Sequence, residues 1–127
     1  MSRLLHTFAL FNLALGTTMA LLAASPFAGA ALRWTTLVQP GQDPALADQA
    51  VTRWVLGIAG GVWAGWGASM VASVRGASVA ASILSGLVVW CALDSLASAA
   101  NGAWLNVVVN LSWLAFGVVA TRSSSSR

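Results

Sequence analysis

The chain has 127 residues, of which 58% are hydrophobic and only 7% are charged. Because a soluble domain carries charges on about a quarter of its residues, this composition excludes an ordinary soluble protein and predicts one that is integral to a membrane. The six positive charges are all arginine and are scattered along the chain, which excludes the basic patch that nucleic-acid binding requires.

The first apolar run, residues 4–24, is long enough to cross a bilayer and ends near Pro26, which disfavours continued helix. Arg3 before the run and the small residues 28–30 after it also fit a secretory signal peptide. The core of a signal peptide is only ~7–15 residues long, so a retained first span is the favoured interpretation. Asn12 within this span is expected to hydrogen-bond to a neighbouring helix.

Residues 26–43 are predicted to form the one substantial loop, and it is expected to be external. Asp43-Pro44 is then typical of a helix start, because Asp accepts from free backbone N–H groups and proline suits the first helical position. We expect this helix to run without a break into a second span at residues 53–74. Trp34 and Trp54 would then lie at the level of the lipid headgroups.

Small residues recur at every fourth position of the second span and form a predicted packing seam: Gly57, Gly61, Gly65 and Ser69. A parallel row lies beside it and is expected to merge with it into one face: Gly60, Ala64, Ala68 and Ala72. Such a face lets another helix backbone approach closely. Packing against the chain's own helices is the favoured interpretation, and a homodimer interface is the alternative.

The last two spans are predicted at residues 78–100 and 102–120, and residues 122–127 are predicted to be a disordered tail. Asp94 in the third span is the only acid outside the polar segment 39–53. An ionisable residue at membrane depth is by default a candidate functional site, because burying it without a partner is costly.

A candidate polar cluster surrounds Asp94. Ser98 lies one turn further along the same helical face, and Asn106 and Asn110 in the fourth span bracket the depth of Asp94. Arg53 lies at the same end of the molecule, where a long guanidinium side chain is expected to reach the carboxyl group.

The sequence leaves three roles open for Asp94, and the first is favoured. In a structural role, Asp94 pairs with Arg53 or Arg33 and is further bonded by the neighbouring amides and hydroxyls. In a transport role, it is a proton or cation site in an outward-facing cavity. In a binding role, the cluster lines a pocket for a lipid headgroup or small apolar ligand together with three tryptophans: Trp90, Trp104 and Trp113.

Catalysis is not expected, and we assign no catalytic residue, metal ligand or cofactor. His6 is the only histidine and Cys91 the only cysteine, so one chain can hold neither a multi-histidine metal site nor a disulfide. No second carboxyl group lies in the predicted spans to complete an acid–base pair with Asp94.

The placement of the arginines predicts the orientation in the membrane. With four spans, two arginines lie on the side of the first loop, Arg33 and Arg53, and the other four lie on the opposite side: Arg3, Arg75, Arg122 and Arg127. The positive-inside rule then predicts that both termini are cytoplasmic. The excess is modest, which leaves dual insertion open.

In size and span count the chain is similar to the small multidrug transporters and the fluoride channels, but it lacks the glutamate in the first span of the former and the Thr- and Phe-rich break in the third span of the latter. It resembles, over most of its length, small uncharacterised four-span proteins of the bacterial inner membrane. The resemblance is carried by a proline-terminated first span, by the segment 53–57 (Arg-Trp-Val-Leu-Gly), and by the polar residues of the final hairpin: Asp94, Ser98, Gly102, Asn106 and Asn110. This resemblance implies a four-helix membrane bundle and brings no known activity.

The sequence therefore predicts an all-α, integral-membrane bundle of four transmembrane helices that forms a single domain over residues 1–121. We expect a non-enzymatic protein of the bacterial inner membrane, either an accessory subunit or a binder of lipids or small ligands. Its expected partners are membrane lipids and a second copy or a larger membrane complex. A dimeric transporter or channel that uses Asp94 is the alternative.

Overall fold

A computed structural model describes residues 3–38 and 44–124, and every regular element within these ranges is helical. The helices, in chain order, are α1 (Arg3–Ala24), α2 (Ala28–Val38), a short 3-10 helix (Pro44–Asp48), α3 (Ala50–Val74), α4 (Val79–Ala100) and α5 (Trp104–Ser124). The first, third, fourth and fifth α-helices are long and apolar enough to cross a membrane. The predicted all-α class and the four candidate spans are therefore confirmed.

The long helices form a core of three, with the fourth attached at one side. α3 lies at the centre and packs against both α1 and α4, while α5 packs chiefly on α4. Much of the surface of α5 is exposed and apolar, including Leu105, Val108 and Phe116. In a bilayer such a surface faces lipid, so the attachment of α5 depends chiefly on the interface that it makes with α4.

The small residues of α3 explain why the core helices approach so closely. A methyl group added at Gly65 would lie 2.7 Å from the carbonyl oxygen of Gly86 on α4, and one added at Gly60 would lie 2.5 Å from the backbone nitrogen of Ala20 on α1. Both distances are shorter than a carbon atom tolerates, so these two positions require glycine. Close backbone packing of this kind is what holds helices together where lipid removes the hydrophobic driving force.

The two small-residue rows of α3 face two different helices and do not merge into the single face that was expected. The predicted seam, represented by Gly57, Gly61 and Gly65, lies against α4, whereas the parallel row, represented by Gly60, lies against α1. The two rows point in different directions around the axis of α3. Because α3 lies between α1 and α4, each row contacts a different neighbouring helix. Packing within the chain therefore occupies both rows.

The turns after α3 and after α4 end these two helices in the same way. Gly76 after α3 and Gly102 after α4 have φ values of +84° and +79°, which strongly favour glycine. In each turn the next residue donates back across the last helical turn, Ala77 to the carbonyl of Ala72 (3.0 Å) and Ala103 to that of Ser98 (2.8 Å). These are Schellman motifs, and they reverse the chain within a few residues so that successive long helices run antiparallel.

The segment between the first two spans differs from the expectation of a loop over residues 26–43, because it contains α2. Its first residues, Ala-Gly-Ala-Ala, include three strong helix formers. The expected continuous helix into span two is also wrong. The 3-10 helix ends at Asp48, and Gln49 is extended (ψ 132°) before α3 begins.

Some sequence-based expectations fall outside the described residues: the helix cap at Asp43, the side chain of Trp34, Arg127, and the end of the predicted tail at residues 125–127. The described part of the predicted tail, residues 122–124, is the last turn of α5.

Candidate functional site

The candidate polar cluster lies where α3, α4 and α5 meet. Asp94 and Ser98 occupy successive turns of α4, and both are almost completely buried, with 2% and 0% of their surface exposed. Gly61 of α3 makes room for the acid, since a methyl group there would lie 3.0 Å from the Cβ of Asp94. The glycine of the predicted seam therefore allows an ionisable side chain to pack between two helices.

The hydroxyl of Ser98 is the centre of the cluster. It donates to Oδ1 of Asp94 (3.0 Å) and accepts from Nδ2 of Asn106 (2.9 Å) and from Nε1 of Trp54 (3.0 Å). A serine hydroxyl has one donor and two acceptor positions, so every position is filled. One oxygen atom thereby connects α3 and α5 to α4.

Asn106 and Asn110 bind different residues of α4. Asn106 donates both amide hydrogens into the cluster, one to Oδ1 of Asp94 (2.9 Å) and the other to Ser98. Asn110 is more deeply buried than Asn106, with 1% of its surface exposed, and donates to Oγ of Ser95 (3.4 Å), which lies 3.9 Å from Sγ of Cys91. The expectation that both amides face Asp94 is therefore met by Asn106 alone.

The expected ion pair between Asp94 and Arg53 is not formed, and this expectation is wrong. Nε of Arg53 is buried without a hydrogen-bond partner among the described residues. Arg33, the other expected partner, pairs instead with Asp48 on the 3-10 helix, at 2.5 Å. The hydrogen bond from Arg33 to Asp48 and the attraction of its negative charge raise the pKa of the Arg33 guanidinium.

The register of α3 on α4 explains why Arg53 does not reach Asp94. Asp94 packs against Gly61, which lies eight residues beyond Arg53 on α3. Eight residues correspond to about 12 Å along the helix axis and to a rotation of roughly 80° away from the direction of Gly61. A count of residues from the predicted membrane boundary places the two groups at one end of the molecule but does not reveal this offset.

Trp54 is the member of the cluster that the sequence analysis missed. It was expected at the level of the lipid headgroups and was assigned no bond, whereas its indole donates to the buried Ser98. The spacing of Trp54, Gly57 and Gly61 at three and four residues is a signal that could have identified it, since it places the indole on the α4-facing side of α3.

Two further polar contacts tie α1 to the rest of the core. Nε1 of Trp63 on α3 donates to Oδ1 of the buried Asn12, which is the contact to a neighbouring helix that Asn12 was expected to make. At the opposite end of α1, Nδ2 of Asn101 donates to the carbonyl oxygen of Ala23 (3.1 Å). Hydrogen bonds therefore link α1 to α3 and to the turn after α4.

Replacing Asp94 by asparagine and Arg53 by glutamine should give additive losses of stability. The amide oxygen of asparagine still accepts from Ser98 and Asn106, and no donor among the described residues is bonded to Oδ2 of Asp94. Groups this far apart usually show a coupling energy below ~0.5 kcal/mol. The check is a double-mutant cycle on unfolding in detergent, and a coupling above ~1 kcal/mol would establish the ion pair instead.

Apolar clefts lie away from the polar cluster. A cleft of about 560 Å³ lies between the first half of α4 and the second half of α5 and is lined by both helices. A neighbouring cleft of about 300 Å³ lies between α3 and α4. The walls of the larger cleft include Trp113 and those of the smaller include Trp90, whereas neither Trp104 nor Asp94 lines either one. The single pocket of tryptophans and polar groups that the binding role required is not formed by these clefts.

The arrangement around Asp94 is suited to holding helices together. The acid accepts on one oxygen from two donors, Ser98 and Asn106. Within the described part of the chain, Asp94 is the one potential base bonded to the Ser98 hydroxyl. Among the described residues, no group of three or more His, Cys, Asp or Glu side chains comes together in a way that could hold a metal ion.

Comparison with known proteins gives no relatives from which roles can be transferred: no protein-family model, curated protein or solved structure matches this chain.

Proposed function

We propose that this chain is a non-enzymatic, multi-pass membrane protein that binds the acyl chain of a membrane lipid in the cleft between α4 and α5. The volume of this cleft, about 560 Å³, is the observation that carries the proposal, because it is within the ~300–1,000 Å³ of typical ligand sites. Its walls are apolar and aromatic along most of their length: Ile83 and Leu87 from α4, and Trp113, Phe116 and Gly117 from α5.

The shape of the cleft favours an extended chain over a compact ligand. It runs from Leu87 to Val79 along α4, which is about 12 Å of helix. At the end of the cleft Thr121 provides the one side-chain hydroxyl of the lining, and the exposed Arg122 follows it. The arginine distribution supports a cytoplasmic location for this end, so the lipid would enter from the inner leaflet.

The buried cluster supports a structural role for Asp94 within this function. Its hydrogen bonds join α5 to α4 at one end of their interface, and the cleft lies at the other end. In our proposal these polar contacts hold α5 on α4 at one end of the interface. They keep the cleft at the other end open, and none of the bonded side chains occupies it. A proton or cation path through Asp94 has less support, because Asp94 lines none of the clefts described above.

A lipid with a photoreactive diazirine in its acyl chain tests the proposal in vesicles. We expect cross-links to concentrate on residues 79–87 and 113–121. Ala80→Trp, which fills the end of the cleft, should lower their yield by about tenfold, the equivalent of ~1.4 kcal/mol in affinity. Ala14→Trp is the matched control, since Ala14 is exposed on α1 outside these clefts. Cross-links spread evenly over all four long helices and insensitive to Ala80→Trp would refute the site.

A further inference from the structure

A third cleft, on another side of α4, combines an apolar wall with a cation. It measures about 500 Å³ and lies between α1, α3 and α4, where the turn 75–78 joins the last two of these helices. Leu13, Val71 and Ala72 supply apolar surface, and Arg75 lines the cleft at the turn. This combination matches the two parts of a phospholipid, an acyl chain and a charged headgroup.

Among the described residues, the charged side chains near this cleft are all positive. Since the long helices are antiparallel, Arg3, Arg75 and Arg122 all lie at this end of the molecule. The two acids within the described residues, Asp48 and Asp94, belong to the opposite end, where they bond to Arg33 and to the polar cluster. Arg75 is exposed and forms no ion pair with a described residue, so its guanidinium is available to an anion.

The other polar groups of the cleft are already bonded within the chain. Ser85 donates to the carbonyl of Ser82 (2.8 Å), and the backbone N–H groups of Gly76 and Ala77 donate to α3. A methyl group added at Gly76 would meet nothing within 4 Å, so the space beside Arg75 is open. The guanidinium is therefore the feature that selects the headgroup, and its planar array of donors suits phosphate oxygens.

We propose that this cleft binds an anionic phospholipid, with the phosphate at Arg75 and one acyl chain along Leu13 and Val71. Basic pockets between transmembrane helices are suited to anionic headgroups, and the attraction is strongest where no acid competes. The site is separate from the cleft between α4 and α5 and does not depend on an acyl chain being bound there.

The test is a titration of the purified chain in mild detergent with phosphatidylglycerol, followed by native mass spectrometry. Arg75→Gln should weaken binding of this lipid by about tenfold. The matched control is Arg122→Gln, which removes the same charge from an exposed position at the same end but outside this cleft, and it should leave binding within about twofold. Ala77→Trp, which fills the cleft from the exposed turn, should weaken binding while Arg75 is retained.

Three results would overturn the proposal. One is an equal loss in Arg75→Gln and Arg122→Gln, which would indicate a general attraction to the positive end. Another is binding of phosphatidylcholine as tight as that of phosphatidylglycerol, and the third is displacement of the lipid by inorganic phosphate alone. Retention of the acyl-chain cross-links at residues 79–87 in Arg75→Gln would show that the two sites are independent.

Discussion

Gly60→Ala should destabilise the helical core by roughly 3 kcal/mol, although it adds a single methyl group. That methyl would lie 2.5 Å from the backbone nitrogen of Ala20, 2.8 Å from the carbonyl oxygen of Gly16 and 2.9 Å from Cβ of Met19. Two of these atoms belong to the backbone of α1 and cannot rotate away, so the helices must separate. The loss is measurable as a shift in the unfolding transition in mixtures of mild and denaturing detergents.

Gly117→Ala is the matched control for this prediction. It is the same substitution inside a long helix and brings the same gain in helix propensity. Its methyl group would meet only the end of the Leu87 side chain, which borders the cleft between α4 and α5 and has room to move. We expect it to be neutral or slightly stabilising. Equal effects of the two substitutions would mean that the close approach of α1 and α3 is not what stabilises the core.

The parts of the fold that the sequence predicts well are those that depend on the bilayer and on local backbone geometry. An apolar run of about 20 residues is a span because that length crosses the hydrocarbon, whatever the run packs against. Gly76 and Gly102 mark the ends of α3 and α4 because their positive φ is a local requirement. Neither inference needs knowledge of a contact between distant residues.

The sequence predicts those contacts of Asp94 that depend on the position of residues around one helix. It does not predict those that depend on how one helix is shifted along another. Ser98 lies one turn from Asp94, so their hydrogen bond follows from periodicity, and the short turn after α4 brings Asn106 to the same depth. The distance to Arg53 depends instead on how α3 slides along α4. The position of α3 along α4 is set by the contacts that Gly61 and Gly65 make with α4. The sequence does not identify the residues of α4 that these glycines contact.

The segment from residue 26 to residue 49 shows a different limit. Helix α2 is short and packs on the 3-10 helix, and one of the contacts between them joins Arg33 to Asp48, fifteen residues away. Gly29 and Pro26 favour a loop by local propensity, and tertiary contacts override that preference. An apolar-run criterion cannot detect such a helix, because α2 is too short to span a membrane.

Asp94→Leu should release α5 from α4 at the polar end of their interface. The leucine has a similar size but accepts no hydrogen bond, so Asn106 and Ser98 each lose a buried partner, at a cost of about 1–3 kcal/mol. Because α5 packs chiefly on α4, we expect this loss to appear as local opening of the one interface rather than unfolding of the core.

Cys91 provides a native probe of that opening, as the only cysteine in the chain. It is buried one turn from Asp94 on α4, with 3% of its surface exposed, and its sulfur lies 3.9 Å from Ser95, the residue that Asn110 contacts. Alkylation by a membrane-permeant thiol reagent should therefore be about tenfold faster or more in Asp94→Leu, since 1.4 kcal/mol shifts an opening equilibrium tenfold.

Two further variants test whether the polar cluster itself holds α5 on α4, or whether any leucine at a polar position of α5 loosens this helix. Asn106→Leu should accelerate alkylation of Cys91 as Asp94→Leu does, because either change breaks the bond between the two side chains. Ser112→Leu also places leucine at a polar position of α5, but that hydroxyl donates to the carbonyl of Val108 in its own helix and is exposed. It should leave the rate unchanged. If Cys91 is alkylated at the same rate in all three variants, the apolar contacts between α4 and α5 hold α5 in place, and the polar cluster around Asp94 does not.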